Sequence, residues 1–226
     1  MFCDDKKGAV YNRKNKIPLL SYDTIIARKG EGVMVCPHGI QVVPLEEKHV
    51  LDFLSWTDDD DPLFAMYNFS EDEDTVGDWF RWKTKGRRDK YFAILMEGRA
   101  AGYMGLKGIS RISRTAELGI ILDRAVIDKG VGRAAMTWLL NHGFFNLGLE
   151  RIFLEVLPWN GRAIHLYESL GFEAMDPVYR RVELSRQALM DVAFDPYRKY
   201  IRGMRQFTMV LVHQMEMTKG RWRRGI

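Results

Sequence analysis

Two stretches decide the reading of this chain: residues 125–135, AVIDKGVGRAA, and residues 159–172, WNGRAIHLYESLGF. Each reads as a loop entering a helix. The first helix opens on Gly130 and Gly132, and the second on Asn160. A glycine-rich helix start leaves free backbone N–H groups and the positive end of the helix dipole facing any anion nearby. Two such units on either side of one strand predict a protein that holds a phosphorylated cofactor and acts beside it.

Outward from these stretches, residues 115–122 read as a strand, TAELGIIL, and residues 152–157 as a second strand of nearly continuous apolar character. The latter pattern suits a strand covered on both faces. A helix is expected over 132–147, with Val131, Ala135, Trp138, His142 and Phe145 on one stripe. Another is expected over 161–170, with Asn160 as its N-cap and Gly171 in the left-handed position past its end. Residues 91–96 and 101–107 flank Glu97-Gly98-Arg99 and read as a hairpin. Residues 40–43 form a strand ended by Pro44, followed by helices over 45–56 and 75–85. Residues 207–213, FTMVLVH, make a late strand, and the segment before it is expected to be partly helical around 185–193.

The dinucleotide pattern G-x-G-x-x-G/A is met by Gly130-Val131-Gly132-Arg133-Ala134-Ala135, yet the context argues against that fold. Seven residues separate the strand from the first glycine, and the preceding strands form a meander, not a strand–helix–strand unit. No G-x-x-x-x-G-K-[ST] occurs, which argues against a nucleoside triphosphatase.

The 226 residues are 46% hydrophobic, enough for one domain with a real core. Cys3 and Cys36 make neither a zinc spacing nor a disulfide framework, and the five histidines form no metal set. No cationic leader or long apolar run is evident, so a cytoplasmic protein with no membrane partner is expected. Net charge is +4, but residues 46–82 hold twelve carboxylates against Lys48 and Arg81. An imbalance of that size either steers a charged partner or serves as a solvated face. Arginines are frequent between 180 and 205, but stacking motifs for RNA are missing, so nucleic acid is not the expected partner. The expected organisation is an extension over 1–37, a domain over 38–215 with an insertion at about 176–206, and a frayed basic tail over 216–226.

On these residues the chain resembles the GNAT superfamily of acyl-CoA-dependent N-acetyltransferases. That family's signature [Q/R]-x-x-G-x-[G/A] falls on residues 127–132, and its second signature on Asn160, Ala163, Leu166-Tyr167 and Leu170-Gly171-Phe172. Trp56 and Ala116-Glu117-Leu118-Gly119 look like the branch that includes ribosomal-protein N-terminal acetyltransferases. One departure is Ile127, where the family has Gln or Arg. Lys129 or Arg133 would then supply the missing charge, or backbone N–H groups of Gly130, Val131, Gly132, Arg133 and Ala134 would carry the diphosphate alone.

The resemblance implies an α+β fold: a mixed, mostly antiparallel twisted sheet with a central parallel, splayed strand pair and helices on both faces. It implies acetyl-CoA as acyl donor, with its pantetheine arm along Ile121 and Leu122 and near Asn160 and Ala163. The chemistry needs a neutral amine, a donor for the tetrahedral oxyanion and a proton for the departing thiolate. Glu117 is the expected base, with Glu155 as second choice, and Tyr167 the expected acid. Glu117 also reads as a cross-strand partner for a cation, and Tyr167 as a core residue. The acidic run falls on the acceptor side, which points to a cationic amine: a polyamine, an aminoglycoside-like amine or a basic protein N-terminus. Trp56, Trp79 and Trp82 stand beside it as stacking or core residues. A homodimer is compatible with this reading. A non-catalytic acyl-CoA-binding or interaction module is the alternative, because of Ile127.

Overall fold

The computed structural model describes residues 10–11, 18–19, 34–35, 39–184, 187–203 and 207–224. Within the extension expected over 1–37, Val10–Tyr11, Pro18–Leu19 and Met34–Val35 are strands; the rest of it lies outside the described residues, as do Cys3, Cys36 and His38.

One sheet organises the domain. We label its main strands β1 (Ile40–Pro44), β2 (Lys90–Met96), β3 (Arg99–Ser110), β4 (Thr115–Leu122), β5 (Arg151–Val156), β6 (Glu173–Val182), β7 (Ile201–Gly203) and β8 (Thr208–Thr218). Met34–Val35 adds a ninth strand beside β1. The spatial order is β7-β8-β5-β4-β3-β2-β1, and β6 pairs with the other edge of β8. Every pair is antiparallel except β4–β5. The hairpin between β2 and β3 turns through Glu97 at φ +50° and Gly98 at φ +83°, the left-handed pair that a two-residue hairpin demands.

The helices are α1 (Glu47–Phe53), α2 (Val76–Thr84), α3 (Val131–Asn141), α4 (Gly161–Ser169) and α5 (Lys219–Arg224). Side chains alternate across the sheet, so each strand supplies both layers. Ala116, Leu118, Ile152 and Leu154 join Ala135, Leu139 and Leu140 of α3 in the larger core. Ala93 and Tyr103 join Val50 and Phe53 of α1 and Val76 and Trp79 of α2 in the second. Helices therefore cover both faces. Phe53 is 1% exposed and touches the rings of Trp56, Phe69, Trp79 and Tyr103 at centroid distances of 4.2, 5.4, 5.9 and 5.5 Å.

Three segments differ from the sequence reading. The α3 helix stops at Asn141 and continues as a single π-helical turn over His142–Asn146, where His142 stacks on Trp138 at 5.0 Å. The strand β6 is not evident in its sequence, EAMDPVYRRV, because it lies at an edge: most of it is exposed, so no alternation is imposed. Its Pro177 sits where the β6–β8 register slips between Val212 and Gln214. The basic end is not frayed over 219–224: β8 runs to Thr218 and α5 follows, with Trp222 packed on the core and its Nε1 donating to Asn141 Oδ1 at 2.8 Å. Between β6 and β7 the chain forms 3-10 turns over Ala188–Met190 and Val192–Tyr200, and Phe194 is fully buried against Trp159.

Candidate active site

The parallel ladder between β4 and β5 holds for three pairs, Thr115–Arg151, Ala116–Ile152 and Glu117–Phe153, and then stops. The strands part beyond it, and residues 118–122 lose their β5 neighbour. Past the parting, at the end of β4, Asp123 turns the chain. Its carboxylate accepts from Ala125 N at 2.9 Å and from Thr57 N at 3.1 Å, fixing both the turn and the loop after α1. Arg124 ties the same loop down through Asp59 at 2.5 Å.

A cleft of about 350 Å³ opens in the parting. Ile120, Ile121 and Leu122 form one wall, and Gly130, Gly132 and Arg133 the start of α3. Asn160, Ala163, Leu166 and Tyr167 of α4 form the other wall. Gly130 caps α3 at φ +78°, a conformation that favours glycine. Ala134 N donates back to Gly130 O at 3.1 Å, so the N–H groups of Val131, Gly132 and Arg133 are the ones left open at the helix end. Gly132 also lets α3 approach its neighbours: an added Cβ would lie 3.3 Å from Leu166 Cδ2 and 3.4 Å from Leu122 Cδ1.

The side chains singled out from sequence divide here. Ile121, Leu122, Gly130, Gly132, Arg133, Asn160, Ala163 and Tyr167 line the cleft together. Val131 and Ala134 are buried on the core side of α3, so only main-chain atoms of that turn can face a ligand. Lys129 is exposed and does not line the cleft, whereas Arg133 does, hydrogen-bonded to Ser169 Oγ at 2.5 Å. Ile127 lines the cleft as well. Asn160 Oδ1 caps α4 by accepting from Ala163 N at 3.1 Å, and its side chain also hydrogen-bonds the Tyr67 phenol.

Tyr167 is 8% exposed, and burial, reinforced by Tyr67 nearby, pushes its phenol well above the ordinary value. It therefore stays protonated at neutral pH and can donate but not accept a proton. Glu117 stands apart from the cleft lining. It faces the α1–α2 side and makes an ion pair with Lys107, its direct cross-strand partner on β3. Glu155 is held more firmly: Arg180 Nε donates to both of its oxygens at 2.9 and 2.8 Å, and Gln214 donates at 2.8 Å.

A second space of about 180 Å³ adjoins the cleft at Trp56, Tyr67, Asn68, Phe69 and Ile121. Its other walls are Met66, Ser70, Glu71, Trp79 and Tyr103. The acidic run is therefore partly structural. Asp72 caps the turn at Thr75, Asp59 pairs with Arg124, and Asp78 pairs with Arg81. Asp58, Asp59 and Glu71 face the two spaces. Trp56 and Trp79 are packed in the second core, and Trp56 Nε1 donates to Ala100 O at 2.8 Å; Trp82 is exposed. Sequence reasoning missed Tyr67, Phe69 and Tyr103, and the cations Arg124 and Arg162 on the cleft. The Tyr-Asn-Phe triplet amid acids was the available signal for the first two: aromatic rings in a charged loop must find cover.

A splayed parallel pair beside a glycine-opened helix gives this chain an extended groove that ends on the open N–H groups of α3. The profile of the acetyltransferase (GNAT) domain matches residues 40–173, which span this whole arrangement. The chain belongs to the GNAT acetyltransferase family and is an acyltransferase. It is similar to the spermidine N(1)-acetyltransferase of Escherichia coli (strain K12), 28% identical over 142 residues, 62% of this chain and 75% of that protein. An uncharacterized N-acetyltransferase, p20, of Bacillus licheniformis is 31% identical over 109 residues, 48% of this chain and 61% of that one. Among solved structures, mutant forms of the spermidine/spermine N-acetyltransferase SpeG from Vibrio cholerae share the fold at a TM-score of 0.55 and 20% identity, covering 82% of this chain and 98% of theirs. These relatives lend no support to the narrower likeness to ribosomal-protein acetyltransferases. No helix among the described residues is long and apolar enough to cross a membrane.

Proposed function

We propose that this chain moves an acetyl group from acetyl-CoA to the primary amine of a small cationic acceptor, by direct attack while both substrates are bound. The observation that carries the reading is the meeting of two differently built spaces at Ile121: a groove ending on the open N–H groups of α3, and an aromatic chamber with carboxylates at its edge. The first suits a diphosphate carrier with an extended arm. The second suits a cation, which gains from ring faces and from Glu71. The spermidine acetyltransferases among the relatives agree with such an acceptor.

In this reading the diphosphate rests on Val131, Gly132 and Arg133 N–H, with the Arg133 side chain supplying the charge that Ile127 cannot. The pantetheine arm takes the place beside residues 118–122 that β5 vacates. The amine nitrogen attacks the thioester carbonyl, forming the C–N bond. A main-chain N–H of parted β4 holds the oxyanion. The C–S bond then breaks; Tyr167 gives its proton to the sulfur, and the proton that the nitrogen sheds on becoming an amide restores the phenol. Glu117 accepts the proton that the ammonium must lose, relayed along the sheet face. It is the freer of the two candidate carboxylates, bound among the described residues by Lys107 where Glu155 is bound by Arg180 and Gln214.

Release of CoA thiol from acetyl-CoA in the presence of an amine panel tests this. Amine-dependent release with cationic amines is the expected result. Release confined to neutral or anionic acceptors would reject the charge argument, and binding without any release would reject catalysis.

A further inference from the structure

In the proposed transfer the nitrogen attacks from the chamber, and the proton it sheds has to reach Tyr167. Tyr167 lines the cleft and not the chamber. A side chain that carries the proton across must stand on the border of the two spaces. It must also accept and donate a hydrogen bond, as a hydroxyl does at one atom.

Five residues line both spaces: Trp56, Tyr67, Asn68, Phe69 and Ile121. The side chains of Phe69 and Ile121 hold no exchangeable proton. Trp56 Nε1 can only donate, and it is engaged with Ala100 O at 2.8 Å. Asn68 is spent on its own loop: Oδ1 accepts from Asp59 N at 2.8 Å, and Nδ2 donates to Asp59 O at 3.2 Å. Among the described residues that leaves Tyr67, whose phenol oxygen both gives and takes a hydrogen.

The placement of Tyr67 is fixed by its surroundings. It ends the 3-10 turn Ala65–Tyr67, and its side chain packs on the core around Leu157, Trp159 and Phe194. The Asn68–Asp59 pair and Arg124 hold the loop around it. Asn160 Oδ1 already accepts from Ala163 N, so the amide nitrogen of Asn160 is the end that donates to the Tyr67 phenol. That bond leaves Oη its own hydrogen to give and a lone pair to receive one. Tyr67 also stands close enough to Tyr167 to act on its charge. Burial pushes both phenols above their ordinary value, so each is protonated at neutral pH.

We propose that Tyr67 is a catalytic residue that carries the proton from the acceptor nitrogen to Tyr167. As the C–S bond breaks, Tyr167 protonates the thiolate and is left a phenolate. Tyr67 passes its hydrogen to that oxygen and takes the one leaving the nitrogen. Both phenols end as they began, and the products are the amide and the free thiol. This rests on the proposed acetyl transfer to an amine and adds the path of its second proton; Glu117 takes the first.

The test compares the full chain with Tyr67→Phe, Tyr167→Phe and the double variant. Each is loaded with acetyl-CoA, and a single turnover of transfer to spermidine is timed in mixtures of light and heavy water. Spermidine KM, acetyl-CoA affinity by calorimetry and melting temperature accompany it. Tyr67→Phe keeps the ring that walls both spaces, so KM and affinity should stay within about twofold of wild type. The transfer itself should slow by about 10- to 100-fold, the lower range of losing a proton-transfer group. The double variant should be no slower than Tyr167→Phe, because two links of one path do not add. The rate of wild type should curve with the fraction of heavy water, as more than one proton moves, and that of Tyr67→Phe should not. An undiminished rate in Tyr67→Phe would leave the proton to water and overturn the inference, with amine acetylation still standing. A double variant slowed by the product of the two single effects, or a Tyr67→Phe loss matched by lost affinity, overturns it equally. Wild type that binds acetyl-CoA and acetylates no amine overturns the acetyl transfer beneath it as well.

Discussion

The groove beside α3 and the chamber beneath α1 and α2 share a border from Trp56 through Phe69 to Ile121, yet they differ in how they are built. The groove is made of main chain: a ladder that stops at Glu117–Phe153, a left-handed Gly130 and three open N–H groups. The chamber is made of side chains: Phe69, Trp79 and Tyr103 around the loop after α1, with Glu71 at its wall. In the proposed reading, main-chain recognition of the diphosphate tolerates Ile127 where the family has a cation or amide. Side-chain recognition does not, so the same reading puts acceptor choice in the chamber.

That contrast can be broken first at the α4 wall of the cleft. Tyr167→Phe should lower kcat by about 100-fold, the scale of losing one general acid, with acetyl-CoA affinity within about twofold of wild type. An unchanged kcat would remove Tyr167 from the chemistry. In the chamber, Trp79→Leu should raise the acceptor KM by about 10-fold and leave the acetyl-CoA KM alone. If both constants rise together, the two regions are not separate. In the groove, Arg133→Ala should raise the acetyl-CoA KM by about 3- to 10-fold and Lys129→Ala should not, since only Arg133 lines the cleft. Equal effects would place the diphosphate away from the start of α3.

The smallest expected effect concerns Lys83, whose ammonium lies 5.6, 5.1 and 5.0 Å from the rings of Trp79, Tyr91 and Tyr103. Burial, and then Lys107, bring its pKa down from 10.5 to about 8. Between those values the unfolded chain binds more protons than the folded one, so Lys83 raises stability as pH climbs from 8 toward 10.5. Below pH 8 both states are charged and the desolvation cost stands in full. Lys83→Met should therefore gain about 1 kcal/mol at pH 7, the rings and partial exposure offsetting most of the penalty. The gain should shrink by pH 10. Melting curves at both pH values check it, and a variant less stable at pH 7 would show that the rings outweigh desolvation.

How much of this was legible in sequence follows the same division. Gly130, Asn160 and Gly171 mark helix ends by backbone chemistry that any sequence displays, and α3, α4 and β4 lie where that chemistry puts them. The chamber was only half visible. The acids showed as a charge imbalance, but which of them find partners among the described residues, as Asp59, Asp72 and Asp78 do, depends on tertiary placement. The pairing of Glu117 with Lys107 needs the β3–β4 register, which a hairpin loop of uncertain length conceals. The strand β6 was hidden by its exposure and by Pro177, and the packed end of the chain by the run of arginines around Trp222.

The most direct trial of the central claim is hydrogen exchange of the full-length protein with and without saturating acetyl-CoA. Protection confined to residues 118–122 and to the first turn of α3, with the α2 amides unchanged, is the predicted pattern. Saturation that leaves those amides exchanging as before would mean that the donor lies elsewhere, and that the parted strands are not its groove.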